Sequence, residues 1–210
     1  MMGLVKKYLT AGRLTPVKIL IYMAFTMVLG LVIRTPDWYS MIVFAMPYGF
    51  ATHFILQFAC CTVSKTDFLT PVKAAHVELA RYMAFLIVVA WALAGAVGYT
   101  LAGYLSGVML NMNTVAFDLL GIVGLLLLTG SILFPMVRLF SGNRTHLTQI
   151  AVYTLAVIGF VSLNLVAGNA FNEDATSVPI VILAAALFAG SYFLSLAIYR
   201  RKLRTKGVLS

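Results

Sequence analysis

Apolar residues in this chain come in long unbroken runs, not in alternating or one-face stripes, and six runs can be marked off. They cover about 16–33, 40–63, 82–109, 115–137, 150–166 and 178–199. An uncharged run near 18 residues or longer reads as a helix that crosses a bilayer. The pattern predicts an all-α polytopic membrane protein, one transmembrane domain of six helices over 1–210. The run that opens near Arg81 and Tyr82 exceeds what a span needs, so it is expected to tilt or protrude. Residues 1–13 follow a different pattern. Leu4, Val5, Tyr8 and Leu9 recur at helical spacing among Lys6, Lys7 and Arg13. This predicts a short amphipathic helix lying in the interface, with Leu4, Lys6, Lys7 and Tyr8 as its contact residues.

The links are short and carry the turn chemistry. Pro16 suits a first helical turn, and Trp38 and Tyr39 suit an interfacial aromatic belt. A polar stretch at 64–78 holds Lys65, Asp67, Lys73, His76 and Glu78. Gly142, Asn143, Arg144 and His146 mark a further turn, and Glu173 and Asp174 make an acidic link.

Composition turns the pattern into a statement about solvent. Of 210 residues, 62% are hydrophobic and 10% charged, whereas a soluble domain needs roughly 25% charged residues. The formal charge of +9 does not point to nucleic acid, because the cations sit in clusters between apolar runs. Fourteen of the fifteen Lys and Arg residues fall on one side of the six-span threading, with Arg34 alone on the other. By the positive-inside rule both termini are cytoplasmic, and Asp37, Asp118, Glu173 and Asp174 face outward. The N-terminus lacks a cleavable signal pattern, so its first run is expected to stay as an anchor. Cys60 and Cys61 are adjacent and build no disulfide or zinc framework.

Candidate chemistry within the runs is sparse. His53 and Asp118 are the ionisable residues placed there, and such residues mark ion or proton paths. His53 either binds substrate, relays a proton or makes an interhelical hydrogen bond, as does Asn164 in the fifth run. Phe44, Phe50, Phe54 and Phe58 line one side of the second run. His53, Phe54 and Phe58 are therefore a possible path for a hydrophobic, peptide or lipid-like cargo, with plain packing as the other reading. Ala90, Ala94, Gly98 and Ala102, with Gly103 and Gly107 one turn off register, form a small-residue seam. The seam joins helices within one chain or between two. No zinc, phosphate-loop or metal-binding aspartate motif is present, so no catalytic or metal site and no cofactor are expected in this chain.

The segment 64–82 is the most informative. Asp67 is a plausible cap and Pro71 a helix opener, and the helix they predict would present Phe68, Val72 and exposed charges to the cytosol. Such a knob suits a groove on a soluble partner. In this respect the chain resembles the compact ABC-2-type transporter permeases, the membrane subunits of ATP-binding cassette exporters. Their cytoplasmic loop has an acidic residue before a Leu-Pro-Val-Ser-Arg-like run, then a β-branched residue and a basic-aromatic pair opening the third span. Asp67, Pro71, Val72, Val77, Arg81 and Tyr82 fall at matching places, while Thr70 and Lys73 depart from the pattern. A weaker likeness runs from Phe134 through Arg138 to Gly142.

The resemblance implies two permease copies, as a homodimer or with a related permease, above two separate ATPase subunits that carry ATP and magnesium. Asp67, Phe68, Pro71, Val72, Lys73, His76, Glu78 and Arg81 would form the coupling helix. The setting would be the plasma (inner) membrane of a bacterium. A transporter or channel working alone, and a structural or assembly subunit of a membrane complex, remain the other readings.

Overall fold

The computed structural model describes residues 2–11, 15–32, 42, 46–51, 73–107, 112–139 and 177–205, and among these there is no strand. Five helices account for nearly all of them. They are α1 (Met2–Ala11), α2 (Pro16–Val32), α3 (Ala74–Leu105), α4 (Met112–Leu139) and α5 (Ser177–Thr205), with a helical turn at 46–51 between α2 and α3. Among the described residues, three stretches are long and apolar enough to cross a membrane: Ala74–Leu105, Leu119–Met136 and Val178–Arg204. The fourth apolar helix, α2, has 17 residues.

Local chemistry accounts for the helix ends. Thr15 accepts a hydrogen bond from the Lys18 amide at 3.3 Å and so caps α2, whose first residue is Pro16. Helix α3 starts seven residues before Arg81, because nothing between Ala74 and Glu78 breaks it, and its first turn closes on the Lys73 carbonyl. It ends at Leu105, short of Met109, where Gly107 takes a φ of 84°. That left-handed position closes a helix, and glycine reaches it without a Cβ penalty. Gly107 is thus a terminator, not part of a packing seam. Pro135 lies inside α4 and removes the backbone bond to the Ser131 carbonyl.

Contacts give each helix a direction. Tyr22 packs at Gly95 and bonds the Ala92 carbonyl, while Gly30 sits against Tyr99, Ala102 and Gly103, so α2 and α3 run parallel. Phe85 meets Gly130 and Phe134, whereas Glu78 meets Arg138, so α4 runs back along α3. Ile180 packs with Leu125, Phe188 with Gly130, and Tyr199 with Arg138, so α5 is parallel to α4. The beginning of α3 and the ends of α4 and α5 therefore share one end of the bundle, while α2 starts beside the middle of α3, with Tyr22 level with Ala92–Gly95. Helix α1 joins them there, burying Val5 and Tyr8 against Val77, Ala80, Ala84, Tyr199 and Leu203.

The core is aromatic. Tyr82, Phe85, Phe134 and Phe188 pack ring against ring, in tilted, edge-on and stacked pairs with centroids 4.6 to 5.4 Å apart. A Cβ at Gly130 would lie 2.7 Å from Phe85, so only glycine lets α4 approach this closely. The seam between α2 and α3 lies within the chain and uses Gly30, Gly95, Gly98, Ala102 and Gly103, while Ala90 faces outward. Outside, Val17, Leu20, Ile21 and Phe25 of α2 and Leu183, Leu187, Phe193 and Leu194 of α5 are exposed. Contiguous apolar surface of this kind calls for lipid or a protein partner.

The expected spans at 16–33, 115–137 and 178–199 correspond to α2, α4 and α5 within a few residues. Most of 40–63 and all of 150–166 lie outside the described residues.

Candidate functional site

Three charges meet inside the shared end of the bundle. Glu78, from the second turn of α3, is fully buried, as are Arg81 one turn later and Arg138 near the end of α4, at 0, 2 and 3% exposure. The carboxylate is the hub. Its Oε1 accepts from Arg81 Nη1 at 3.0 Å and from the Ser195 hydroxyl of α5. Its Oε2 accepts from Arg138 Nη2 at 2.7 Å and Nε at 3.2 Å, a two-pronged grip. One side chain thus ties α3, α4 and α5 together.

Aromatic rings wall the cluster. The Arg138 guanidinium stands 4.1 Å from the Tyr199 centroid, and that of Arg81 stands 5.2 Å from Phe134. Tyr8 of α1 is near enough to interact electrostatically with Arg81. Below, the Tyr82 and Ser191 hydroxyls bond at 2.9 Å. Above, Lys202 of α5 donates to the Leu139 carbonyl at 3.2 Å, placing a cation at the negative end of α4.

Buried charges persist where they are paired, and breaking such a pair costs about 3–5 kcal/mol. The arrangement can therefore hold the helix ends in register, and any change that separates α3 from α4 must break it.

The sequence-predicted residues divide into three groups. Lys73 and His76 are exposed at the start of α3. Glu78 and Arg81, expected among charges offered to the cytosol, point inward, because α3 begins earlier and they fall on its core face with Val77, Tyr82 and Phe85. Asp67, Phe68, Pro71 and Val72, and also His53, Phe54 and Phe58, lie outside the described residues. On α1, Tyr8 is buried, Leu4 half-buried, and Lys6 and Lys7 exposed. The buried face docks on α3 and α5.

Arg138 and Ser195 were missed as site residues. The available signal was weak: a cation directly after an apolar run, and a hydroxyl inside one. Among the described residues no group of three metal-ligating side chains occurs. Comparison with family models, curated proteins and solved structures returns no match for this chain.

Proposed function

We propose that the chain is the membrane-spanning permease subunit of an ATP-driven exporter. Hydrolysis by a separate ATPase would be coupled to export of a hydrophobic or amphipathic cargo such as a peptide. The observation that carries this reading is the Glu78 cluster. It lies where the segment resembling a coupling helix enters α3, and it links that entry to α4 and α5. A push on residues 64–76 would reach two further helices through one carboxylate.

Helix directions support six spans. Since α2 runs parallel to α3 and α4 parallel to α5, a six-span threading needs one further crossing between the members of each pair. One crossing in each makes six, with both chain ends on one side. Lys6, Lys7, Lys73, Arg200, Arg201, Lys202 and Arg204 gather at that side, which supports its assignment to the cytoplasm.

Co-expression with an associated ATPase tests the proposal. The pair should co-purify, and ATP should drive transport in proteoliposomes. The reading fails if replacing residues 67–73 leaves that transport intact. Sidedness is tested separately by a cysteine introduced near Lys73, which should label only from the cytoplasmic face, and one near Glu173, which should label only from outside.

The three buried charges favour a second reading, a carrier driven by an ion gradient, for which such groups are the usual path. Transport that collapses with the ion gradient and ignores ATP would select it.

A further inference from the structure

The charge cluster does not balance. Glu78 contributes one negative charge, and Arg81 and Arg138 two positive ones, within a site at most 3% exposed. Arg138 is gripped twice by the carboxylate. Arg81 is not: its Nη1 reaches Glu78, but its Nη2 is buried with no hydrogen-bond partner. The other acidic residue on a described helix, Asp118, lies twenty positions before Arg138 on α4, about 30 Å away along the axis.

A guanidinium taken out of water retains its charge, because its delocalised cation is not deprotonated in proteins. Among the described residues the site is thus left with one uncompensated positive charge, and one N–H of the same group is unused. A water molecule would satisfy the N–H but not the charge. A small monovalent anion satisfies both, since it accepts from Nη2 and brings the sum to zero.

The surroundings attract such an ion. Lys6 and Lys7 of α1 and Arg200, Arg201 and Arg204 of α5 are exposed at the same end of the bundle. Clustered charge of one sign raises the local concentration of counter-ions. Helix α1 covers the cluster mainly through Val5 and Tyr8, and Tyr8 interacts with Arg81.

We propose that Arg81, through Nη2, binds one small monovalent anion of the chloride class at the Glu78–Arg81–Arg138 cluster. A lipid phosphodiester carries the same single charge. The near-complete burial of Arg81 favours the smaller ion over a headgroup. The inference does not depend on the transport reading.

The test uses the full chain purified in a neutral detergent, with chloride exchanged for gluconate at constant ionic strength. Thermal unfolding should shift upward with chloride and saturate, and bromide should substitute. Chloride at a hundred times its Kd raises the folded-to-unfolded ratio about a hundredfold. The shift should vanish in Arg81→Gln and persist in Arg201→Gln, which removes the same charge from the exposed tail. Should Arg81→Gln fail to fold, chloride-35 NMR line broadening on the wild-type chain decides, with competition by bromide expected. Equal stability in chloride and gluconate, or no line broadening, overturns the proposal. So does stabilisation that requires vesicles containing phosphatidylglycerol and ignores chloride.

Discussion

Replacing Glu78 by glutamine preserves shape and removes charge, so it isolates what the carboxylate contributes. Four donors converge on its two oxygens: Arg81 Nη1, Arg138 Nε and Nη2, and the Ser195 hydroxyl. The glutamine carbonyl can take the place of Oε1 and keep Arg81 and Ser195. Its amide then replaces Oε2 and opposes two Arg138 donors with donors of its own. Two charge-assisted bonds disappear, each worth about 1.5–3 kcal/mol. Both buried guanidinium groups also lose the carboxylate they share, and the total falls at about 3–5 kcal/mol.

Arg138→Gln removes the same two bonds from the other side. The double variant places two neutral amides together and should cost less than the sum of the singles, by up to about 3 kcal/mol. Reversible unfolding of the purified chain in mixed detergent–SDS micelles, followed by tryptophan fluorescence, measures all three. Additivity within about 0.5 kcal/mol would mean that the two side chains act independently and would refute the cluster as a unit.

Other substitutions probe the packing in the same assay. Gly30→Ala places a Cβ 2.5 Å from the Tyr99 carbonyl oxygen and 2.9 Å from Ala102, and backbone there cannot yield, so a loss of about 1–3 kcal/mol is expected. Gly190→Ala meets nothing within 4 Å and should stabilise α5 by up to about 1 kcal/mol through helix propensity. Tyr22→Phe deletes the 3.0 Å bond to the Ala92 carbonyl and should cost about 0.6–1.7 kcal/mol. Lys202→Met, which removes the cation from the end of α4, should cost no more than about 1 kcal/mol, and added salt should reduce the difference.

Sequence reasoning located α2, α4 and α5 because apolar runs are long, uninterrupted and bounded by Pro16, Arg138 and the basic tail. It also marked Gly98, Ala102 and Gly103 as a close-packing face, since small residues at helical spacing have few other uses. It misjudged α3 at both ends. Residues 73–78 are expected in a cytoplasmic helix separate from the span that opens near Arg81, yet nothing breaks the chain between the two, and a polar side chain inside a helix is ordinary when its partner is nearby. The partners were the hidden part. Glu78 meets Arg138 across 60 positions and Ser195 across 117. Hydropathy has no means of showing that two separated charges neutralise one another. Read alone, each was a surface cation or anion, and Glu78 and Arg81 were accordingly expected to face the cytosol.

The proline in α4 gives the ionic hub a mechanical meaning. Beyond Pro135, the last turn of α4 is joined to the rest of its helix by one rung fewer than a regular helix supplies. The guanidinium of Arg138 anchors that turn sideways to a different helix. When the anchor holds, the terminus is braced. When it lets go, unwinding should begin there and spread toward Ser131, so amide hydrogens at 136–139 should exchange with deuterium before those in the interior of α4.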